Sequence, residues 1–332
     1  MQYSESIAHG IMFHHFHDER HYMGQGSISG KEFENILCFL GLNRMLDPYE
    51  WIERFDTEGL IAENLCLTFD DALLCQFEIA LPILEKYDLK VFWFVYSSVF
   101  EGHPVKFEIY RAFRSKFFEN IDDFYEVFFA KIFDSEFGDK ARSVIEETDI
   151  AQYIRLYPFY SVHDVKFRLI RDRVLSRQEY EAIMDEIIRD RGVSPDDLSK
   201  NLWMSNEHLK YLSDRGHIVG LHSYSHPMVL AHLSYEEQWE EYSRNYNHIV
   251  QVCGRYPVAM AHPVNSYNED TLQILKRLGI RCGFRSNMFP QHEGVELNRT
   301  RHEIAREDHA NVLSMLRDSK SGGVPVNGGS HF

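Results

Sequence analysis

The chain has 332 residues, 44% of them hydrophobic, which suffices for one large core or for a core with a sizeable insertion. Its formal net charge of −16 argues against duplex nucleic acid and anionic membrane surfaces, since both require clustered Lys and Arg. Neutral or cationic small molecules and sugars stay open.

No stretch reaches the roughly 18 uninterrupted apolar residues of a membrane span. The opening MQYSESIAHG lacks the basic and apolar regions of a secretory signal. The cysteines, Cys38, Cys66, Cys75, Cys253 and Cys282, are scattered and odd in number, and no C-x-x-C pair occurs. Together these features predict a cytoplasmic protein with buried, reduced thiols.

In chain order, residues 8–16 read as a short buried strand. Ser29, with Glu32 three residues later, forms a capping-box pattern that opens a helix. Leu65 to Phe69 is a compact apolar run ending on Asp70 and Asp71, the pattern of a buried parallel strand. FEIALPILEKYDLK reads as a helix and VFWFVYSS as another buried strand. This strand–helix–strand order predicts a parallel sheet with right-handed crossovers.

From 99 to 199 the rhythm changes, and aromatic and charged residues recur at helical spacing. A helical insertion is predicted, with its Phe-rich stripes as core; it would cap the site or form a dimer interface. The α/β rhythm then resumes with a helix at WMSNEHLKYLSDRG, a strand and loop at HIVGLHSYSH, a helix at LSYEEQWEEYSRNYNHIVQVCG, a strand at PVAMAHP and a helix at NEDTLQILKRLG. Gly216, Gly254 and Gly279 stand where helix C-caps are expected. The predicted organisation is a split catalytic domain, 1–98 with 200–317, around an insertion at 99–199, followed by a flexible Gly-rich tail at 318–332.

The chemistry concentrates in two fragments, Thr68-Phe69-Asp70-Asp71 and His222-Ser223-Tyr224-Ser225-His226, each at a strand end. In parallel α/β folds, sites form at the carboxyl ends of strands. Two imidazoles four residues apart meet one cation if the segment turns after its strand. One added carboxylate makes a three-ligand site with open positions, suited to hydrolysis. A second carboxylate beside it suits a general base. The competing reading of two Asp residues after a strand is a helix N-cap. Adjacent residues on a regular strand face opposite ways, so the hydrolytic reading also requires a turn after Phe69 that brings both carboxylates together.

With these fragments in view, the chain resembles the polysaccharide deacetylases with a NodB-homology domain, the carbohydrate esterase family that removes N-acetyl groups from amino sugars. The family motif T-F-D-D stands intact at Thr68–Asp71, and H-S/T-x-x-H at His222–His226 followed by Pro227. The likeness covers roughly 8–98 and 200–315 and leaves out the insertion. It implies a distorted (β/α) barrel with a long helical insertion. It further implies Asp70 as the base, and Asp71, His222 and His226 as ligands of one divalent metal. Zinc suits two imidazoles and a carboxylate, with cobalt, iron or manganese as other candidates.

The third motif, A-Y-P-Y/F-G-x-Y-N in one branch, is altered here to Ala261-His262-Pro263-Val264-Asn265-Ser266-Tyr267-Asn268. The family implies an oxyanion contact from the backbone N–H after the proline, here Val264. Asn265, in place of Gly, tolerates the turn. Phe13-His14 resembles the Y-H that opens many members, which implies His14 as the general acid, with His262 and His302 as rivals. Arg299, in Leu297-Asn298-Arg299-Thr300, resembles the L-P-R-x of some members and is a candidate substrate or base-orienting contact.

The resulting expectation is a metal-dependent hydrolase that removes acetyl or formyl from an amino sugar, free or carrier-linked, in surface polysaccharide or O-antigen biosynthesis. Two other readings stay open: hydrolysis of a cyclic amide or imide on the same barrel, and a catalytically silent carbohydrate-binding barrel. The latter has no need of Asp70.

Overall fold

The computed structural model describes residues 7–156, 161–289 and 296–321. Among the described residues, the chain forms two compact units, one made of the residues up to Val105 and from Asn201 onward, the other of residues between Lys106 and Lys200.

The strands of the first unit are β1 (His9–Phe13), β2 (Phe16–His17), β3 (Ile28–Ser29), β4 (Leu65–Asp70), β5 (Phe92–Val95), β6 (Ile218–Leu221), β7 (Ala259–Ala261), β8 (Cys282–Phe284) and β9 (Arg306–Asp308). Seven of them make one parallel sheet in the order β8-β7-β6-β5-β4-β1-β9, while β2 and β3 pair separately. A parallel bridge joins Phe284 at the end of β8 to Ile304, just before β9, and β9 itself pairs with β1. The two edges of the sheet therefore meet, and the sheet is nearly closed into the distorted (β/α) barrel that the resemblance implies.

Side-chain alternation divides the core in two. Leu65, Leu67, Phe69, Trp93, Val95, Val219, Leu221 and Met260 pack outward with helix residues such as Phe33, Ile36, Leu209, Leu212 and Ile274. Cys66, Phe92, Phe94, Ile218, Ala259, Ala261, Cys282 and Phe284 fill the other face. Both faces of the strands are thus buried, which is why they read as continuous apolar runs.

The capping box at Ser29 and Glu32 opens the helix Gly30–Leu40 as expected. Gly216, Gly254 and Gly279 take positive φ after the helices Asn206–Asp214, Tyr235–Cys253 and Glu269–Arg277. Three details differ from the sequence reading. The first strand stops at Phe13, because His14 turns out of the ladder. Cys38 is exposed, although the other four cysteines are buried and all five are free. Residues 318–321, placed in the tail, continue the helix His309–Ser321, and the rest of the predicted tail lies outside the described residues. Among the described residues, no helix is long and apolar enough to cross a membrane.

The second unit is helical, with Lys106–Phe117, Ile121–Phe133 and Arg177–Asp190 as its longer elements. Phe113, Phe124, Phe128 and Phe167 are buried in it. Its buried tyrosine hydroxyls find acceptors: Tyr125 donates to Asp164, and Tyr110 to Asp185 at 2.8 Å.

Candidate functional site

The carboxyl end of β4 solves the problem of two adjacent carboxylates. Asp70 is still on the strand, while Asp71 and Ala72 take φ of 79° and 55°. This left-handed turn, rare outside glycine, brings the second carboxylate to the same side as the first. The Asp71 N–H is tied to Phe94 O at 3.0 Å, so the turn is held by the neighbouring strand.

Asp70 is gripped from across the barrel. Arg306 on β9 donates Nη1 to Oδ1 and Nη2 to Oδ2, both at 2.7 Å, a bidentate fork. Its Nη1 also donates to Thr68 Oγ1 at 3.1 Å, and its Nε to Arg285 O. The guanidinium is fully buried, and it reaches Asp70 through space that a side chain at position 10 would occupy. A Cβ on Gly10 would stand 2.9 Å from Arg306 Cγ. Burial by itself would raise the Asp70 carboxyl, but Arg306, with His222 and His14, holds it below the usual range. The group is therefore a carboxylate at neutral pH.

The loop after β6 carries the two histidines of the second motif. Ser223 and His226 take φ of 64° and 54°, and the His226 N–H donates to Ser223 Oγ at 3.1 Å. Glu241, on the helix Tyr235–Cys253, pins this loop by accepting from the Tyr224 N–H at 2.9 Å and from the Ser225 N–H at 2.8 Å. The His222 N–H donates to Asn245 Oδ1 at 3.0 Å. His222 Nδ1 lies 2.9 Å from Ala261 O, which assigns its proton to Nδ1 and leaves the Nε2 lone pair free to ligate.

Three donors converge. His222 Nε2 and His226 Nε2 lie 3.4 and 3.6 Å from Asp71 Oδ1, and one ligand atom from each of the three residues falls within 4.8 Å of the others. Asp71 Oδ1 is buried with no hydrogen-bond partner. A buried carboxylate oxygen left unpaired between two imidazoles is costly unless a cation completes it. Burial would raise the Asp71 carboxyl; His222, His226 and His14 hold it far below the usual range. The donor set therefore fits a divalent ion.

Of the three candidate acid histidines, the structure brings only His14 to this cluster. His14 Nε2 is 3.8 Å from Asp70 Oδ2 and 3.9 Å from Asp71 Oδ2, and its side chain is 27% exposed. His262 is completely buried. Its ring stacks on Tyr267 at 4.0 Å, its Nε2 lies 2.8 Å from His302 O, and burial pushes its pKa down to about 3. His302 is likewise buried, with Nε2 2.8 Å from Ile280 O. Both are buried imidazoles held against backbone carbonyls. Pro263 is buried, and after it Val264, 47% exposed, and Asn265 take φ of 44° and 57°. Asn265 keeps the glycine-like turn, as its replacement predicts, while a β-branched residue at positive φ marks local strain.

Arg299 is exposed, and the arginine that orients Asp70 is Arg306, so the base-orienting role considered for Arg299 is corrected. The signal for Arg306 was available: an arginine inside the otherwise strand-like Glu303-Ile304-Ala305-Arg306. Gln76 was also missed. Its buried amide donates to His14 O at 2.8 Å and to Asp70 O at 2.6 Å, tying together the ends of β1 and β4.

A family model described as polysaccharide deacetylase matches residues 196–283, which include both histidines of the second motif. No curated protein matches the chain in sequence. Among solved structures, the deacetylase PplD of Streptococcus pyogenes, in complex with acetate, is similar with a TM-score of 0.53 at 16% identity, covering 91% of each chain. IcaB from Ammonifex degensii is similar with a TM-score of 0.52 at 13% identity, over 94% of this chain and 97% of that one. A de-N-acetylase from Aggregatibacter actinomycetemcomitans gives 0.52 at 12% identity, over 90% and 93%. At these identities the structural likeness is one of fold.

Proposed function

We propose that this chain, which resembles the polysaccharide deacetylases in sequence over 196–283 and in its barrel, is a metal-dependent hydrolase that removes an N-acyl group from an amino sugar. The observation that carries the reading is the convergence of Asp71 Oδ1, His222 Nε2 and His226 Nε2 beside a second carboxylate held ionised by Arg306. A divalent ion held by the three, with zinc the best match to the donors, supplies Lewis acidity toward water and the amide carbonyl.

The protein's own groups then divide the work. Asp70 accepts the proton of the attacking water, and Arg306 keeps it aimed and ionised. His14, the partly exposed imidazole of the cluster, gives a proton to the departing amine. The Val264 N–H, on its strained turn, donates to the oxyanion. Asp70 also weighs against a purely sugar-binding barrel, because a fully buried ion pair aimed at a ligand cluster serves no binding need.

The proposed substrate is a small or carrier-linked N-acetyl or N-formyl amino sugar, met in the cytoplasm during surface polysaccharide synthesis. The third motif supports it, because Val264 and the buried His262 offer no aromatic face for a polymer. The test is amine release by the metal-loaded enzyme from free and nucleotide-linked N-formyl and N-acetyl amino sugars, beside chitin oligomers, peptidoglycan and cyclic ureides. Turnover of the small sugars is expected. Fast turnover of long polymers alone would exclude this substrate class, and turnover of ureides alone would favour cyclic amide hydrolysis.

A further inference from the structure

We propose that Arg285 forms a subsite for an oxyanion carried by the substrate, a carboxylate or a phosphate on the N-acylated sugar; this rests on the N-deacylase reading above. Arg285 follows β8 at its carboxyl end, the same end of the barrel that presents His14, Asp70, Asp71 and His222. It is 4% exposed, yet its Nε has no hydrogen-bond partner. The side-chain hydrogen bond it makes among the described residues is Nη2 to Asn287 Oδ1 at 3.4 Å, near the limit for such a bond. It forms no ion pair among the described residues. A buried guanidinium is ordinarily paired, because removing its charge from water is costly.

Arg306 shows the contrast. It is buried as well, and its Nη1 and Nη2 meet Asp70 while its Nε meets a carbonyl. The carbonyl belongs to Arg285, so the backbone of Arg285 braces the arginine that holds the base. On its other side, the Ser286 N–H donates to Asn265 Oδ1 at 3.2 Å, which ties Arg285 to the turn bearing Val264. The backbone at Arg285 and Ser286 thus links the base-holding arginine to the turn that bears Val264.

His262 is kept neutral by burial, with the charge of Arg285 adding to the effect. Glu303 has both oxygens engaged, accepting from Tyr267 Oη at 3.0 Å and from Thr300 Oγ1 at 2.7 Å. A planar guanidinium with open N–H groups matches a carboxylate or phosphate. In a chain of net charge −16, such a group selects an anion by contact, since long-range attraction works the other way.

The experiment compares the metal-loaded wild type with Arg285→Gln. Turnover is measured on N-acetylglucosamine, its 1-phosphate and its uronic acid, and binding of inorganic phosphate and of glucuronate is followed by calorimetry. Arg285→Gln is expected to lose roughly tenfold or more in kcat/KM on one of the anionic sugars, the scale of one charge-assisted contact, and little on the neutral one. The sugar that shows the loss identifies phosphate or carboxylate. Any phosphate affinity that both proteins share is assigned to the metal centre. If neutral and anionic sugars fall equally, or if both anions bind the two proteins alike, Arg285 is structural and the proposal is overturned. If no sugar is deacylated but an anion binds the wild type tenfold better, the N-deacylase reading fails and the anion site stands. Should Arg285→Gln not fold, Arg285→Lys keeps the charge without the fork. Several-fold loss of anionic preference is then expected, and an unchanged preference overturns the proposal.

Discussion

Replacing Arg306 by Met keeps much of the side-chain volume and removes the partner of Asp70. Two charge-assisted hydrogen bonds at 2.7 Å are lost, between groups 0% and 2% exposed. Breaking a buried pair by deleting one member costs roughly 3–5 kcal/mol, because the remaining charge is stranded. At about 2–4 °C per kcal/mol for a domain of this size, Tm should fall on the order of 10 °C. The sign of the pH effect follows from Asp70. In the wild type its pKa is lowered, so its contribution to stability is complete above the unfolded value, near pH 4, and is lost as pH falls below it. Without Arg306, burial dominates and raises the carboxyl. The folded variant then holds a proton above about pH 4, and its stability declines with rising pH where the wild type's does not. The acid limb of kcat/KM should move to higher pH, and kcat at neutral pH should drop by on the order of 10²-fold from loss of aim alone. Arg306→Lys should restore part of the pH shift but not the aim, since a lysine supplies a point charge without a fork. Metal content by elemental analysis controls for damage to the ligands. A variant with full metal and an unmoved acid limb would refute the claim that Arg306 sets the state of Asp70.

The other expectations concern the cluster and its rim. Purified protein should carry about one divalent ion per chain, as a three-ligand site predicts, and Asp71→Ala, His222→Ala or His226→Ala should each lower occupancy with helical content nearly unchanged by circular dichroism; full retention in His226→Ala would remove that residue from the ligand set. Asp70→Asn should keep the metal and lose on the order of 10²–10⁴-fold in kcat, because the isostere takes no proton. His14→Ala should lower kcat with the metal retained, whereas His302→Ala should lower Tm and leave kcat nearly unchanged; the reverse pattern would reassign the acid. Val264→Gly should raise Tm or leave it level, because relief of positive φ, worth roughly 1–3 kcal/mol, outweighs the added freedom of the unfolded chain; a marked fall in Tm would show that Val264 is not strained.

Legible from residue order alone were the parallel α/β rhythm, the two motif fragments at strand ends, several helix starts and stops, and the helical character of the described residues between 106 and 199. These are local matters: apolar period, capping residues and the placement of Gly are written in neighbouring residues, and strands buried on both faces leave unbroken apolar runs. The ordering of Asp70 and Asp71 into one site lay at the edge of that reach, since it depends on positive φ at Asp71 and Ala72, which no glycine announces. Long-range pairing was out of reach. Arg306 meets Asp70 across 236 positions of sequence, and the contact exists because the last strand closes the barrel beside the first and Gly10 leaves the path clear. For the same reason His14, His262 and His302 look equivalent in the sequence. Only the folded chain separates them, leaving one imidazole partly exposed at the ligand cluster and sealing the other two against backbone carbonyls, because burial and partner are properties of the packed barrel rather than of any short segment.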